Sequence, residues 1–108
     1  TFVFLNAEPG ISAQEQRERA HEEARAALAT YWSALEGTLD PNKVERAADN
    51  ALIGNSDDVA QQMIERFHPD DRLMLWFDFF NHDNARVIAN MEAFMTEVAP
   101  RVAKAAAQ

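Results

Sequence analysis

The run Arg72-Leu73-Met74-Leu75-Trp76-Phe77-Asp78-Phe79-Phe80 limits the fold more than any other stretch of this sequence. Seven of its last eight residues are large and apolar, and Asp78 is the exception. A run this short, without polar alternation, predicts a strand buried on both faces. Helical patterns lie before and after it, so the expected setting is a parallel strand inside an α/β layer structure. The remaining residues must supply cover and neighbouring strands. They supply much of the first and little of the second.

The chain has 108 residues, enough for one ordinary domain with a modest core of its own. Its net charge of −8 argues against a nucleic-acid backbone or an anionic membrane surface as partner. There is no cysteine, which excludes disulfides, thiolate zinc sites and a cysteine nucleophile, and makes the cytoplasm the default compartment. No apolar run approaches the roughly 20 residues of a membrane span, and Thr1-Phe2-Val3-Phe4-Leu5 lacks a basic leader. Entry into a strand-like run within one residue of Thr1 reads as an excised fragment, a processed chain or a partial record.

Thr1 to Ala7 is apolar on both parities at Phe2, Val3, Phe4 and Leu5, a second strand pattern covered on two sides, and Glu8-Pro9-Gly10 ends it. Ser12-Ala13-Gln14-Glu15 fits a capping box and opens a long helix. Glu15 with Arg19 and Glu22 with Arg25 place its first half in solvent, while Ala20, Ala24, Ala27, Leu28, Tyr31 and Leu35 form a buried stripe and Gly37 stops it. Asp40-Pro41 starts a short helix through about Asp49, and Ala51-Leu52-Ile53-Gly54 could form a brief strand. A further helix comes next, with Ser56 as cap and Val59, Met63, Ile64 and Phe67 inward. His68 to Asp71 make a turn, the apolar run succeeds it, and Asn81-His82-Asp83-Asn84 make a loop and cap. The last helix carries Val87, Ile88, Met91, Phe94, Met95 and Val98 on one face; Pro100 ends or kinks it, and the tail from Lys104 frays. No domain boundary falls within residues 1–108. Two or three parallel strands cannot close a barrel or satisfy both sheet edges, so strands are missing.

Three stretches carry a family resemblance. Ala51-Leu52-Ile53-Gly54-Asn55-Ser56-Asp57-Asp58-Val59-Ala60, then Leu73-Met74-Leu75-Trp76-Phe77-Asp78, then Met91-Glu92-Ala93-Phe94-Met95-Thr96-Glu97-Val98-Ala99-Pro100-Arg101 together resemble the carboxy-terminal end of bacterial luciferase-like flavin-dependent monooxygenases. The resemblance implies the last third of a (β/α)8 TIM-type barrel. Phe2–Ala7 would be its sixth or seventh strand, the stretch near Leu52 a short strand, and Leu73–Phe79 the eighth. It also implies an oxidoreductase that oxidises a small organic substrate with O2 and reduced FMN, or a deazaflavin in some relatives, often supplied by a separate flavin reductase. The family's phosphate-binding residues and catalytic histidine lie in earlier strands and loops. No catalytic residue is therefore carried over, and neither activity nor bound flavin is expected of these 108 residues alone.

Barrels of this class place the site at the carboxyl ends of their strands. That singles out Asn6 and Glu8 after the first strand, and Asp78, Asn81 and His82 after the last, as wall of a substrate pocket. Each has a plainer reading: Asp78 bonded to a neighbouring loop, His82 a solvated loop histidine. Gly54-Asn55-Ser56 could offer amides to an anion, but Asp57 and Asp58 would repel it, which favours capping. His21-Glu22-Glu23-Ala24-Arg25 has arginine where the zinc-protease pattern needs its second histidine, so no metal site is assigned. Tyr31, Trp32 and the four methionines read as core. The alternative to the enzyme is a stand-alone helical interaction or oligomerisation module whose apolar strands are covered by self-association or another chain.

Overall fold

The computed structural model describes residues 1–36, 41–77 and 84–107, excepting the side chains at 32, 34–36, 41, 43 and 44. Strand β1 (Val3–Leu5) is followed by helices α1 (Ala13–Glu36) and α2 (Pro41–Asn50), strand β2 (Leu52–Gly54) and helix α3 (Ser56–Arg66). The chain ends in α4 (Asn84–Ala93), a π-helical turn (Phe94–Val98) and α5 (Ala99–Ala106). It is a helix-rich α/β structure.

β1 and β2 pair in parallel, with Val3 opposite Leu52, Phe4 opposite Ile53 and Leu5 opposite Gly54. Side chains alternate across a strand, so this register sorts them into two layers. Phe4 and Ile53 pack against Ala20, Ala24 and Leu28 of α1 and Ala48 of α2. Val3, Leu5 and Leu52 pack against Val59, Ala60 and Met63 of α3 and against Phe94 and Val98. Every residue of both strands is buried, as two-sided apolar patterns require.

The apolar segment Leu73–Phe77 behaves differently. Its backbone meets β1 on the side away from β2, through a parallel bridge between Phe2 and Trp76. Val3 N donates to Trp76 O at 3.0 Å, and Trp76 N donates to Thr1 O at 2.9 Å. Burial on both faces is not found here. Leu73, Leu75 and Phe77 pack on the layer containing Val3 and Leu5, whereas Met74 is 83% and Trp76 46% exposed. The physical reason is cover. On the α1 side Trp76 meets Phe2 and Tyr31 in edge-on ring contacts and still remains 46% exposed, and Met74 is left largely uncovered. Asp78, Phe79 and Phe80 lie outside the described residues.

The two flanks of the sheet end differently. On the β2 side, Gln62 of α3 accepts from Ile53 N at 3.0 Å and donates to Ile53 O at 2.8 Å, while Arg66 donates to Ala51 O at 3.0 Å. Those side chains replace a neighbouring strand, which blunts the edge. On the other side, the backbone groups of Leu75 and Phe77 have no hydrogen-bond partner among the described residues. Gln62→Leu would leave Ile53 with an unpaired buried N–H and C=O, so a loss of about 2 kcal/mol is expected. Urea unfolding midpoints of the two proteins measure it, and an unchanged midpoint would show that water satisfies Ile53 instead.

Several helix expectations are met and several are corrected. Ser12 caps α1 through Oγ, which accepts from Glu15 N at 3.1 Å, and Arg19 pairs with Glu15 at 2.7 Å. Arg25, expected to pair with Glu22, instead reaches Glu45 of α2 at 3.2 Å, because the two helices pack side by side. The cap of α3 is Asn55, not Ser56: Asn55 Oδ1 accepts from Asp58 N, and Asp58 Oδ2 accepts from Asn55 N. Ser56 Oγ is thereby released to donate to Glu97 at 2.9 Å. Gly37 and Asp40, the expected stop and start signals, lie outside the described residues.

The final helix departs most from its pattern. Phe94 and Val98 are buried, but Ile88, Met91 and Met95 are half or more exposed, so the expected single stripe is two. Val87, Asn90, Phe94 and Val98 form the inward row, and a buried asparagine sits where the pattern offered only apolar residues. The chain is helical through Lys104 to Ala106, and Pro100 interrupts the regular helix without ending it. Its missing N–H and its ring cannot be fitted against Thr96 O in a regular α-turn; the widened turn at Phe94–Val98, closed by Ala99 N donating to Phe94 O, removes the conflict. Helix then continues to Ala106. Of the four methionines, only Met63 belongs to the core. No helix among the described residues is long and apolar enough to cross a membrane.

Candidate functional site

β1 ends at Asn6, whose side chain also turns the chain that leaves the strand. Asn6 N donates to Gly54 O at 2.9 Å, the last rung of the parallel ladder. Asn6 Oδ1 then accepts from Glu8 N at 2.9 Å, a local turn that carries the chain away from the sheet. Beyond this turn lies a cleft of about 630 Å³, walled by Asn6 to Pro9, by Arg19, Glu22 and Glu23 of α1, and by Arg86, Ala89, Asn90 and Ala93 of α4. Its place at the carboxyl end of a parallel strand is where α/β folds build ligand sites.

Arg86 is the centre of the cleft's polar wall. Its Nη2 donates to both carboxylate oxygens of Glu23, at 2.9 and 3.0 Å, and to Leu5 O at 3.2 Å; its Nη1 donates to Asn90 Oδ1 at 2.6 Å. One guanidinium thus joins β1, α1 and α4. Arg19 forms a second cluster, bonding Glu8 at 2.5 Å and Glu15 at 2.7 Å. Its hydrogen bond with Glu8, and then the charge of Glu8, raise the Arg19 pKa further above its already high value, so the guanidinium stays charged.

Of the five residues singled out from sequence, the structure therefore brings Asn6 and Glu8 together at one cleft. Asp78, Asn81 and His82 lie outside the described residues. Arg86, Glu23 and Asn90 were not anticipated. Glu23 and Arg86 are 63 positions apart, and no periodicity links an acid on one helix to a base on another. Asn90 carried one usable signal, a polar residue on the inward row of an otherwise apolar helix.

A second hollow, of about 510 Å³, lies between α3, the turn at 67–71 and α5. Met63, Phe67, Leu73, Phe94 and Val102 line it with little polar chemistry beyond His68 and Asp71. His68 Nδ1 is already engaged as acceptor of Asp70 N at 3.1 Å. Among the described residues no group of three or more acids and histidines is placed to hold a metal ion.

At the start of α3, the amides that could have cradled an anion serve the cap. Asp58 accepts from Asn55 N and pairs with Arg17 at 2.7 Å. The hydrogen bond that Arg17 donates to Asp58, and then the charge of Asp58, raise the Arg17 pKa. Arg101 pairs with Asp57 on the same turn, so this surface is a knot of ion pairs joining α1, α3 and α5.

Compared with protein-family models, with curated proteins and with solved structures, the chain matches none.

Proposed function

We propose that these residues are the carboxy-terminal part of a luciferase-like, flavin-dependent monooxygenase, and that they form one wall of its substrate pocket. The reaction would oxidise a small organic molecule with O2 and reduced FMN or a deazaflavin, the reduced flavin coming from a reductase partner. The observation that carries the reading is the cleft at the carboxyl end of β1, walled by Asn6 and Glu8. The parallel direction of β1, β2 and the Trp76 segment fits an α/β sheet of the kind a barrel uses, although β2, which falls between the other two in sequence, pairs on the far side of β1 instead of between them. The open backbone groups of Leu75 and Phe77 also support the reading; they lie on the flank where a closed barrel would add its first strand.

The described residues do not suit the flavin itself. A flavin phosphate needs free cationic or amide donors, and both arginines of the cleft are neutralised, Arg19 by Glu8 and Glu15 and Arg86 by Glu23. On this proposal the flavin is held by the rest of the barrel, Asn6 and Glu8 line the substrate side, and Asp78, Asn81 and His82 remain candidates from sequence.

The position of β2 favours a second reading. A closed barrel would have a full strand on that side of β1, whereas here the edge is short and is capped by Gln62 and Arg66. An open sheet of this kind suits an interaction or oligomerisation module that covers the Leu73–Phe77 edge with a second copy or another chain.

The test separates the two. Under the first reading, the coding sequence extends well upstream, and the extended protein consumes O2 and substrate only when reduced flavin is supplied. Flavin-independent behaviour of the extended protein, or an initiator methionine directly before Thr1, would remove it. Under the second, the 108-residue chain sediments as a defined oligomer and melts cooperatively.

A further inference from the structure

We propose that the cleft at the carboxyl end of β1 takes an uncharged polar molecule by a carbonyl-type oxygen, held by the side-chain amides of Asn6 and Asn90. The inference rests on reading this cleft as the substrate pocket and names the chemistry of what enters it; it does not depend on flavin.

Asn6 is 2% and Asn90 7% exposed, and both line the cleft. Their orientation is settled by their partners. Asn6 Oδ1 accepts from the Glu8 amide, and Asn90 Oδ1 accepts from the Arg86 guanidinium; neither donor could face an NH2 group. The Nδ2 groups are therefore the remaining ends, and neither has an acceptor among the described residues. Buried amide donors in native proteins nearly always have a partner, so two in one cleft wall call for an acceptor oxygen that the described residues do not supply.

Charge then selects among acceptors. Arg19 and Arg86 are occupied, and Glu8, Glu22 and Glu23 share the same walls. An anion would meet carboxylates with no free cation to offset them. A simple ammonium ion would suit the carboxylates but offers the two amides nothing to bond. A neutral ketone, lactam or amide satisfies both conditions: its oxygen accepts from Asn6 and Asn90, and an N–H, where present, can donate to Glu22. The cleft's volume suits a small organic molecule.

The experiment is a titration of the 15N-labelled chain followed through its side-chain amide resonances, with three probes of similar size: 2-pyrrolidinone, succinate and pyrrolidinium. The lactam is expected to shift the Asn6 and Asn90 NH2 signals saturably, and the two ions are not. Asn6→Asp and Asn90→Asp keep the oxygen that serves Glu8 N or Arg86 while replacing the donor with a charged acceptor that repels a carbonyl oxygen, so each should weaken lactam binding by at least about tenfold. Asn90→Asp also strengthens the contact with Arg86, so it remains informative if Asn6→Asp disturbs the fold. Three results would overturn the proposal: equal shifts from either ion, a linear response that never saturates, or wild-type lactam affinity in folded variants of both positions. Loss of flavin dependence in the extended protein would leave this titration unaffected, and failure of the titration would leave the flavin assay unaffected.

Discussion

Gly54→Ala is expected to lower the unfolding free energy by about 3 kcal/mol, enough to leave a domain of this size near the edge of stability. Two effects add. Gly54 sits at φ +139°, a backbone conformation that a residue with a Cβ adopts only under strain. The added carbon would also lie 2.5 Å from Asp58 Cβ and 2.5 Å from Asp58 Oδ2. Asp58 cannot easily withdraw. It accepts from the Asn55 amide, its own amide is capped by Asn55, and it holds Arg17. The substitution therefore acts at once on the last rung between β1 and β2, on the start of α3 and on the link to α1. Chemical denaturation of the variant measures the loss; a decrease in unfolding free energy below about 0.5 kcal/mol would mean that the strand end relaxes freely and that the turn is not fixed as described.

Leu5→Ala should cost about 2–5 kcal/mol, the range for a large-to-small change in a close-packed interior. Leu5 is wholly buried, and it packs between Leu52, Val59 and the row from Phe94 to Val98. Little can move in to fill the space, because β1 is flanked by backbone on both sides and covered on both faces. Met74→Ala is the matched control. With 83% of Met74 exposed, its change should stay within about 0.5 kcal/mol. A large loss at Met74 together with a small one at Leu5 would reverse the assignment of inside and outside in this sheet. A large loss at Met74 that appears only at high protein concentration would show that the exposed edge is covered by another copy.

Much of the architecture was readable in the residues. The two-sided apolar patterns of Phe2–Leu5 and Leu52–Ile53, the serine cap of α1, the proline start of α2 and the stripe of Ala20, Ala24 and Leu28 are local features, and local physics fixes them. The errors have one source. Whether Leu73–Phe77 is covered on one face or two depends on how far α1 extends over it, and neither Met74 nor Trp76 encodes that. The cap of α3 is Asn55 because the Asn55–Asp58 capping box starts the helix at Ser56, which leaves the serine hydroxyl for Glu97, distant in sequence. The stripe of the last helix split because only the row of Asn90, Phe94 and Val98 meets the rest of the fold, leaving Ile88, Met91 and Met95 outside it.

The candidate site was half legible. Asn6 and Glu8 follow from the rule that parallel strands present their carboxyl ends to ligands, and that rule needs only the position of one strand. Arg86 with Glu23, and the unpaired amide of Asn90, needed coordinates. By itself the sequence determined which segments are helix or strand and which of their faces are apolar, because those properties depend on neighbours a few residues away. Only the tertiary structure decided which strand lies beside which, which edge is capped and which charges are spent on one another, because each of these depends on groups from different elements that meet only once the elements have packed.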